Sequence, residues 1–206
     1  MLRLYDEKKR SVEEITSARP DVVRVSCEPD LRSMVVGDLI RRVIPQHGLR
    51  AIGIWTPVPG AADLNVRPAE LTSGEADVHV GETVGRWSLA SHDGLDPLAV
   101  RFALLTRHYR SGVDLSREDL DEAAASLTSW RGQVAEWAES PGKALSREYV
   151  AEAMTALDSD LDTPSVFPVL SRMAEDASLA PGAKFETVIK LDMVLGLDLV
   201  ALVGRQ

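Results

Sequence analysis

The apolar positions change period part-way along the chain. Up to residue 55 they come in short runs. "LRLYD" (2–6) and "DVVRVSC" (21–27) are β-type runs, "VGDLIRRVIPQHG" (36–48) has helical spacing, and "RAIGIW" (50–55) is β-type again. That succession predicts a small βαβ-like unit whose helix ends at Gly48, with Pro45 weakening its last turn. From "TPVPGAADLNVRP" (56–68) onward, Pro, Gly, Asn and Asp mark a loop-rich connector that continues through residue 94.

From Asp96 the pattern turns helical and stays so. Asp96 before Pro97 reads as an N-cap with proline at the first helical position, and Leu98, Phe102 and Leu105 share a face. Leu120, Ala124, Leu127, Trp130, Val134 and Trp137 make a longer stripe, introduced by Ser116 with Asp119 three residues on, a partial capping box. Val150, Ala153, Met154 and Leu157 form a third stripe. Thr163 and Pro164 open a fourth, carried by Val166, Val169, Leu170 and Met173, and Phe185, Val188 and Ile189 suggest a fifth. The expected class is α+β, mostly α: a βαβ-like unit in residues 1–94, then an antiparallel helical bundle in 95–206.

Composition narrows the functions. The 45% hydrophobic and 27% charged fractions of the 206 residues are those of a globular chain. No apolar run approaches membrane-spanning length, and "MLRLYDEKKR" is too charged for a signal peptide, so a cytoplasmic protein without a membrane partner is expected. The formal charge of −9 argues against a broad grip on phosphate backbones; residues 95–206 hold 18 acidic side chains against 11 basic ones. Cys27 is the only cysteine, which excludes an internal disulfide and a cysteine-rich zinc module. No Walker loop, dinucleotide fingerprint, Ser-His-Asp order or His-Glu-x-x-His pair is present.

"DPLAVRFALLTRHYRSGVDLSREDLDEA" and "ALDSDLDTP" resemble the helical domain of cysteinyl-tRNA synthetases and of the related mycothiol cysteine ligases, over most of residues 95–175. "LRLYDEKKRSV", "VRVSCEP" and "GDLIRRVIPQHG" resemble that family's opening strands and first helix. The resemblance implies that residues 1–94 are a shortened nucleotide-binding, Rossmann-type catalytic domain. It also implies ATP and zinc as cofactors, and the motifs for both are altered. The family's signature histidines, which meet ATP, would fall at Val35 and Asp38. In "GETVGRW" (81–87), the two lysines of the Lys-Met-Ser-Lys-Ser loop become Thr83 and Arg86. Cys27 matches the first of two zinc cysteines, no second exists, and His79 echoes a family histidine.

The expectation is therefore a chain without catalytic residues, bound ATP or zinc. It would bind a protein partner, a second copy of itself or a small ligand, with tRNA disfavoured by the acidic helical half. The candidate remnant-cleft residues are Cys27, Gly37, Asp38, Trp55, His79, Arg86 and Trp87. Loss of the missing catalytic segment would leave Ile52, Ile54, Trp55 and Trp87 for a partner contact. The alternatives are a ligase that activates cysteine by rewired chemistry and a tRNA-binding remnant. His108, Tyr109 and Arg110 are expected to pack at a helix end, and Trp130 and Trp137 to fill the core or a helix interface.

Overall fold

The computed structural model describes residues 1–6 and 9–205. β1 (Arg3–Asp6) and β2 (Ser11–Glu14) form an antiparallel hairpin, with Leu4 opposite Glu13. β3 (Val22–Cys27) leads into helix α1 (Leu31–Val43), whose N-cap Asp30 accepts a hydrogen bond from the Ser33 N–H. The 3-10 turn Ile44–His47 follows, and the chain returns as β4 (Arg50–Ile54), parallel to β3. This is the βαβ crossover that the sequence pattern predicts. Pro45 tightens the helix end into the 3-10 turn, and Gly48, at φ 76°, closes it in the left-handed region.

The expected connector is more ordered than its composition suggests. Within it, β5 (Val78–Val80) pairs with β3 on the side opposite β4, completing a three-stranded parallel sheet in the order β4-β3-β5. β6 (Trp87–Leu89) pairs in parallel with β7 (Val113–Leu115), a strand inside the half read as wholly helical. A methyl group at Gly85 would lie 2.2 Å from the Ser111 carbonyl oxygen, so only glycine lets the chain enter this pairing.

Helix α2 (Pro97–Leu105) is capped by Asp96, and α3 (Arg117–Ala138) begins with a complete Ser116–Asp119 capping box. α4 (Arg147–Asp158), α5 (Val166–Glu175) and α6 (Pro181–Leu195) follow. α3 packs on α2 and α6, α4 on α5 and α6, and α6 also touches α1. One apolar cluster runs from Val25, Val35 and Ile40 of the first half to Leu120, Leu157 and Leu191 of the second, so packing is continuous across residue 94. Among the described residues, no helix is long and apolar enough to cross a membrane.

Candidate functional site

In the β4-β3-β5 sheet, the chain leaves β3 in one direction for β4 and later comes back to β3's other side as β5. Such a reversal opens a crevice at the carboxyl ends of the strands, where open parallel sheets bind ligands. Cys27 ends β3 there. A methyl group at Gly37 of α1 would lie 3.4 Å from Cys27 Cβ, 3.6 Å from its Sγ and 3.8 Å from the Trp55 ring, so Cys27, Gly37 and Trp55 form one contact. The Trp55 indole lies back over Gly53, where any Cβ would come within 2.7 Å of it, and the Arg41 guanidinium sits 4.9 Å from its ring centre. Burial, with Asp30 and Glu28 nearby, pushes the Cys27 thiol up to about 12. It is therefore a protonated thiol at neutral pH, whereas nucleophiles and metal ligands are thiolates.

His79 comes to the same sheet edge from β5, but on the other face. It pairs in register with Ser26. Its Nδ1 is 2.9 Å from Ser26 Oγ, and its Nε2 is 3.3 Å from Glu28 Oε1. Consecutive strand residues point to opposite faces, so Cys27, turned toward α1, and His79, bonded to the Ser26 side chain, are separated by the sheet. Among the described residues, no group of three or more His, Cys, Asp or Glu side chains is placed to hold a metal ion.

Asp38 lies in the interior. Its side chain is 0% exposed and meets Arg42 at 2.7 Å, Arg101 at 2.9 Å and Arg67 at 3.1 Å. Burial alone would raise its pKa. Arg101, Arg42 and Arg67 win, and hold the carboxyl below the usual range. Arg101, itself fully buried, also donates to the carbonyls of Leu195 and Leu64, tying α1 and α2 to the end of α6. Val35 is buried in the core.

The 81–87 loop is held from beneath. Arg32 of α1 is 1% exposed and donates to the carbonyls of Gly85 at 2.7 Å, Arg86 at 3.2 Å, His108 at 3.3 Å and Ser111 at 2.7 Å. The Arg86 carbonyl also accepts from the Val113 N–H at 2.9 Å. The Arg86 side chain is exposed and, with Trp87, Gly112, Val113 and Asp114, lines a recess of about 330 Å³. Arg86 and Trp87 thus share this recess, apart from the contact of Cys27 with Gly37 and Trp55.

The surface expected for a partner contact is largely covered by the chain itself. Ile54 and Trp55 are each 4% exposed, and Ile52 and Trp87 are half-buried. The 70–71 segment lies along β4, where the Trp55 N–H donates to the Leu71 carbonyl and Gly53 N–H to the Glu70 carboxylate. Sequence reading also passed over Asp160. Its Oδ1 accepts from the Tyr109 hydroxyl at 2.6 Å and the Tyr5 N–H at 2.9 Å, and Arg110 stands 2.8 Å from its Oδ2. The signal lay in the two motifs quoted above, "RHYRS" and "ALDSDLDTP", which meet at this carboxylate.

No protein-family model matches the chain. The L-cysteine:1D-myo-inositol 2-amino-2-deoxy-alpha-D-glucopyranoside ligase of Thermomonospora curvata is 39% identical over 112 residues, 52% of this chain and 26% of that protein. The corresponding ligase of Streptomyces avermitilis is 37% identical over 111 residues, again 52% and 26%. The cysteine-tRNA ligase 1 of Burkholderia lata is 35% identical over 106 residues, 52% of this chain and 22% of that protein. Over about half its length, this chain resembles the cysteine ligases. The matches span about a quarter of those relatives' own length.

Proposed function

We propose that this is a non-catalytic, cytoplasmic protein of cysteine-ligase type that acts by binding a protein partner or a small ligand, in a process related to cysteine. In this reading the β3-α1-β4 unit with β5 is what remains of a nucleotide-binding fold, and α2–α6 correspond to the relatives' helical bundle. The observation that carries it is the commitment of Asp38, one of the positions that the resemblance assigns to nucleotide handling, to the chain's own architecture. Asp38 is enclosed by arginines, and the loop carbonyls at Gly85 and Arg86 are occupied by Arg32.

The cofactors implied by the resemblance do not fit the residues present. Val35 is buried and Asp38 is 0% exposed, so neither faces a phosphate. A zinc ion would need about four converging donors. Here the one thiol is held protonated, and His79 lies across the sheet from it.

Cysteine-dependent exchange of pyrophosphate into ATP by the purified chain tests the reading. The expected result is no exchange above background, with no stoichiometric zinc by elemental analysis. Exchange abolished by Arg86→Ala, with the fold intact, would establish a rewired ligase instead.

A further inference from the structure

A cleft of about 760 Å³ is separate from the Cys27 contact. It lies between the β1–β2 hairpin and β5, and its lining identifies its walls. Val78 and His79 are consecutive residues of β5, so their side chains project to opposite faces, yet both line the cleft; it therefore runs along the strand's edge. Glu13 and Glu14, consecutive in β2, give the same reading for the hairpin.

Among the described residues, β5 is the outer strand of its sheet and β2 pairs with β1 alone, whose own outer edge is taken by Ser159 and Asp160 through the Asp160 N–H to Arg3 carbonyl bond. On β2 the Val12 carbonyl accepts from the Arg3 guanidinium at 3.2 Å, so the edge offered to the cleft is the backbone at Glu14. In the hairpin ladder the Ile15 N–H donates to the Leu2 carbonyl, which turns the backbone of Glu14 outward. The segment leaving β2 closes one end, with the Ala18 N–H and the Ser17 hydroxyl donating to the Asp77 carboxylate. Leu4, Ile15 and Val78 give the cleft a half-buried apolar floor. Its rim carries Glu13, Glu14 and Glu82, with Lys9 paired to Glu13 at 3.4 Å.

We propose that this cleft takes an extended, lysine- or arginine-bearing peptide segment of a partner protein, which adds as a strand between β2 and β5. The backbone at Glu14 and the outer edge of β5 supply main-chain partners, apolar side chains of the segment enter the floor, and alternate basic side chains meet the acidic rim. The proposal rests on the reading of the chain as a binding protein and names its partner's chemistry.

The probe is a fluorescein-labelled peptide of alternating lysine and valine. Controls are the same peptide with glutamate for lysine, a version N-methylated at alternate residues, and L-lysine amide. The intact chain is expected to bind the lysine peptide at physiological salt and to gain hydrogen-exchange protection at residues 13–15 and 78–80. N-methylation, which removes main-chain donors and leaves the charge, should weaken binding at least ~10-fold. Glu14→Lys with Glu82→Lys, both exposed and outside the core, should do the same through charge. Equal binding of the N-methylated peptide, or no new protection at the strands, would overturn strand addition. Competition by L-lysine amide at the same concentration would make the cleft a small-cation site and overturn the peptide. Failure of every peptide alongside absent pyrophosphate exchange would remove this proposal and leave the non-catalytic reading standing, whereas exchange activity would remove that reading first.

Discussion

Asp38 shows how a side chain expected in a cleft can lie in the interior instead. Its position beneath three arginines depends on residues 29 and 63 positions away in sequence, Arg67 and Arg101. Removing its charge leaves Arg101, which is 0% exposed, without a counter-ion. Asp38→Asn is therefore expected to cost about 3–5 kcal/mol at pH 7, measured by urea unfolding. The pH dependence has a fixed sign. A carboxyl whose folded pKa lies below its ordinary value near 3.8 stabilises above that value and loses the contribution as pH falls through the folded pKa. The gap between wild type and Asp38→Asn should accordingly narrow on acidification below pH ~4. Cys27 has the opposite sign. Its thiol, raised from 9.0 to about 12, favours the folded state at lower pH, and that contribution is lost as pH rises from about 9 to about 12. At pH 8 the folded chain should react with a disulfide reagent at least ~10-fold more slowly than the urea-unfolded chain, and equal rates would show an accessible thiolate.

Between residues and the whole stands the 81–89 segment, an element whose order comes from Arg32 and Gly85 together. Four carbonyls around one buried guanidinium join it to the 108–111 turn, and the β6–β7 pairing continues that junction. Arg32→Met keeps the apolar stem and leaves those carbonyls unpaired, at an expected cost of about 2–4 kcal/mol. Gly85→Ala must displace the Ser111 carbonyl. Both variants should lose hydrogen-exchange protection first at 85–89 and 111–115, with α3 to α6 protected longer; uniform loss would place Arg32 in the global core instead. The physical contrast with the legible elements is plain. β3, α1, β4 and the helical stripes were visible because each buries several residues at a fixed period. Leu120, Leu127 and Val134 recur every seven along α3, and Val166, Val169, Leu170 and Met173 mark one face of α5. β5, β6 and β7 have three residues each, too few to display alternation, and are strands only because a distant neighbour pairs with them. The Cys27–Gly37–Trp55 contact was legible as a group of candidates. The separation of His79 from it, and the cleft along β2 and β5, depend on sheet register, which no local pattern records.

At the scale of the molecule, the change of period near residue 94 separates two compositions, while three buried polar centres stitch the halves together. Asp38 of α1 reaches Arg101 of α2, and Arg101 in turn holds the Leu195 carbonyl at the end of α6. Arg32 of α1 holds the turn at 108–111. Asp160, beyond α4, binds the Tyr5 backbone of the hairpin and the Tyr109 hydroxyl. Each centre spans the boundary, and breaking any of them removes a hydrogen-bond partner from buried polar groups at the junction. The apolar cluster is likewise shared, so neither half can unfold without uncovering the other's core. The expected behaviour is one cooperative transition. It can be read with probes from each side: Trp55 and Trp87 report the first half when Trp130 and Trp137 are replaced by Phe, and far-UV circular dichroism reports the helices, which lie mostly in the second. In urea the two signals should share one midpoint, and Asp160→Ala should lower both together by the equivalent of about 2–4 kcal/mol. A fluorescence midpoint separated from the dichroism midpoint would make residues 1–94 and 95–206 independent folding units. In that case the polar centres would be contacts between two finished domains, and Asp160→Ala would shift one signal and leave the other in place.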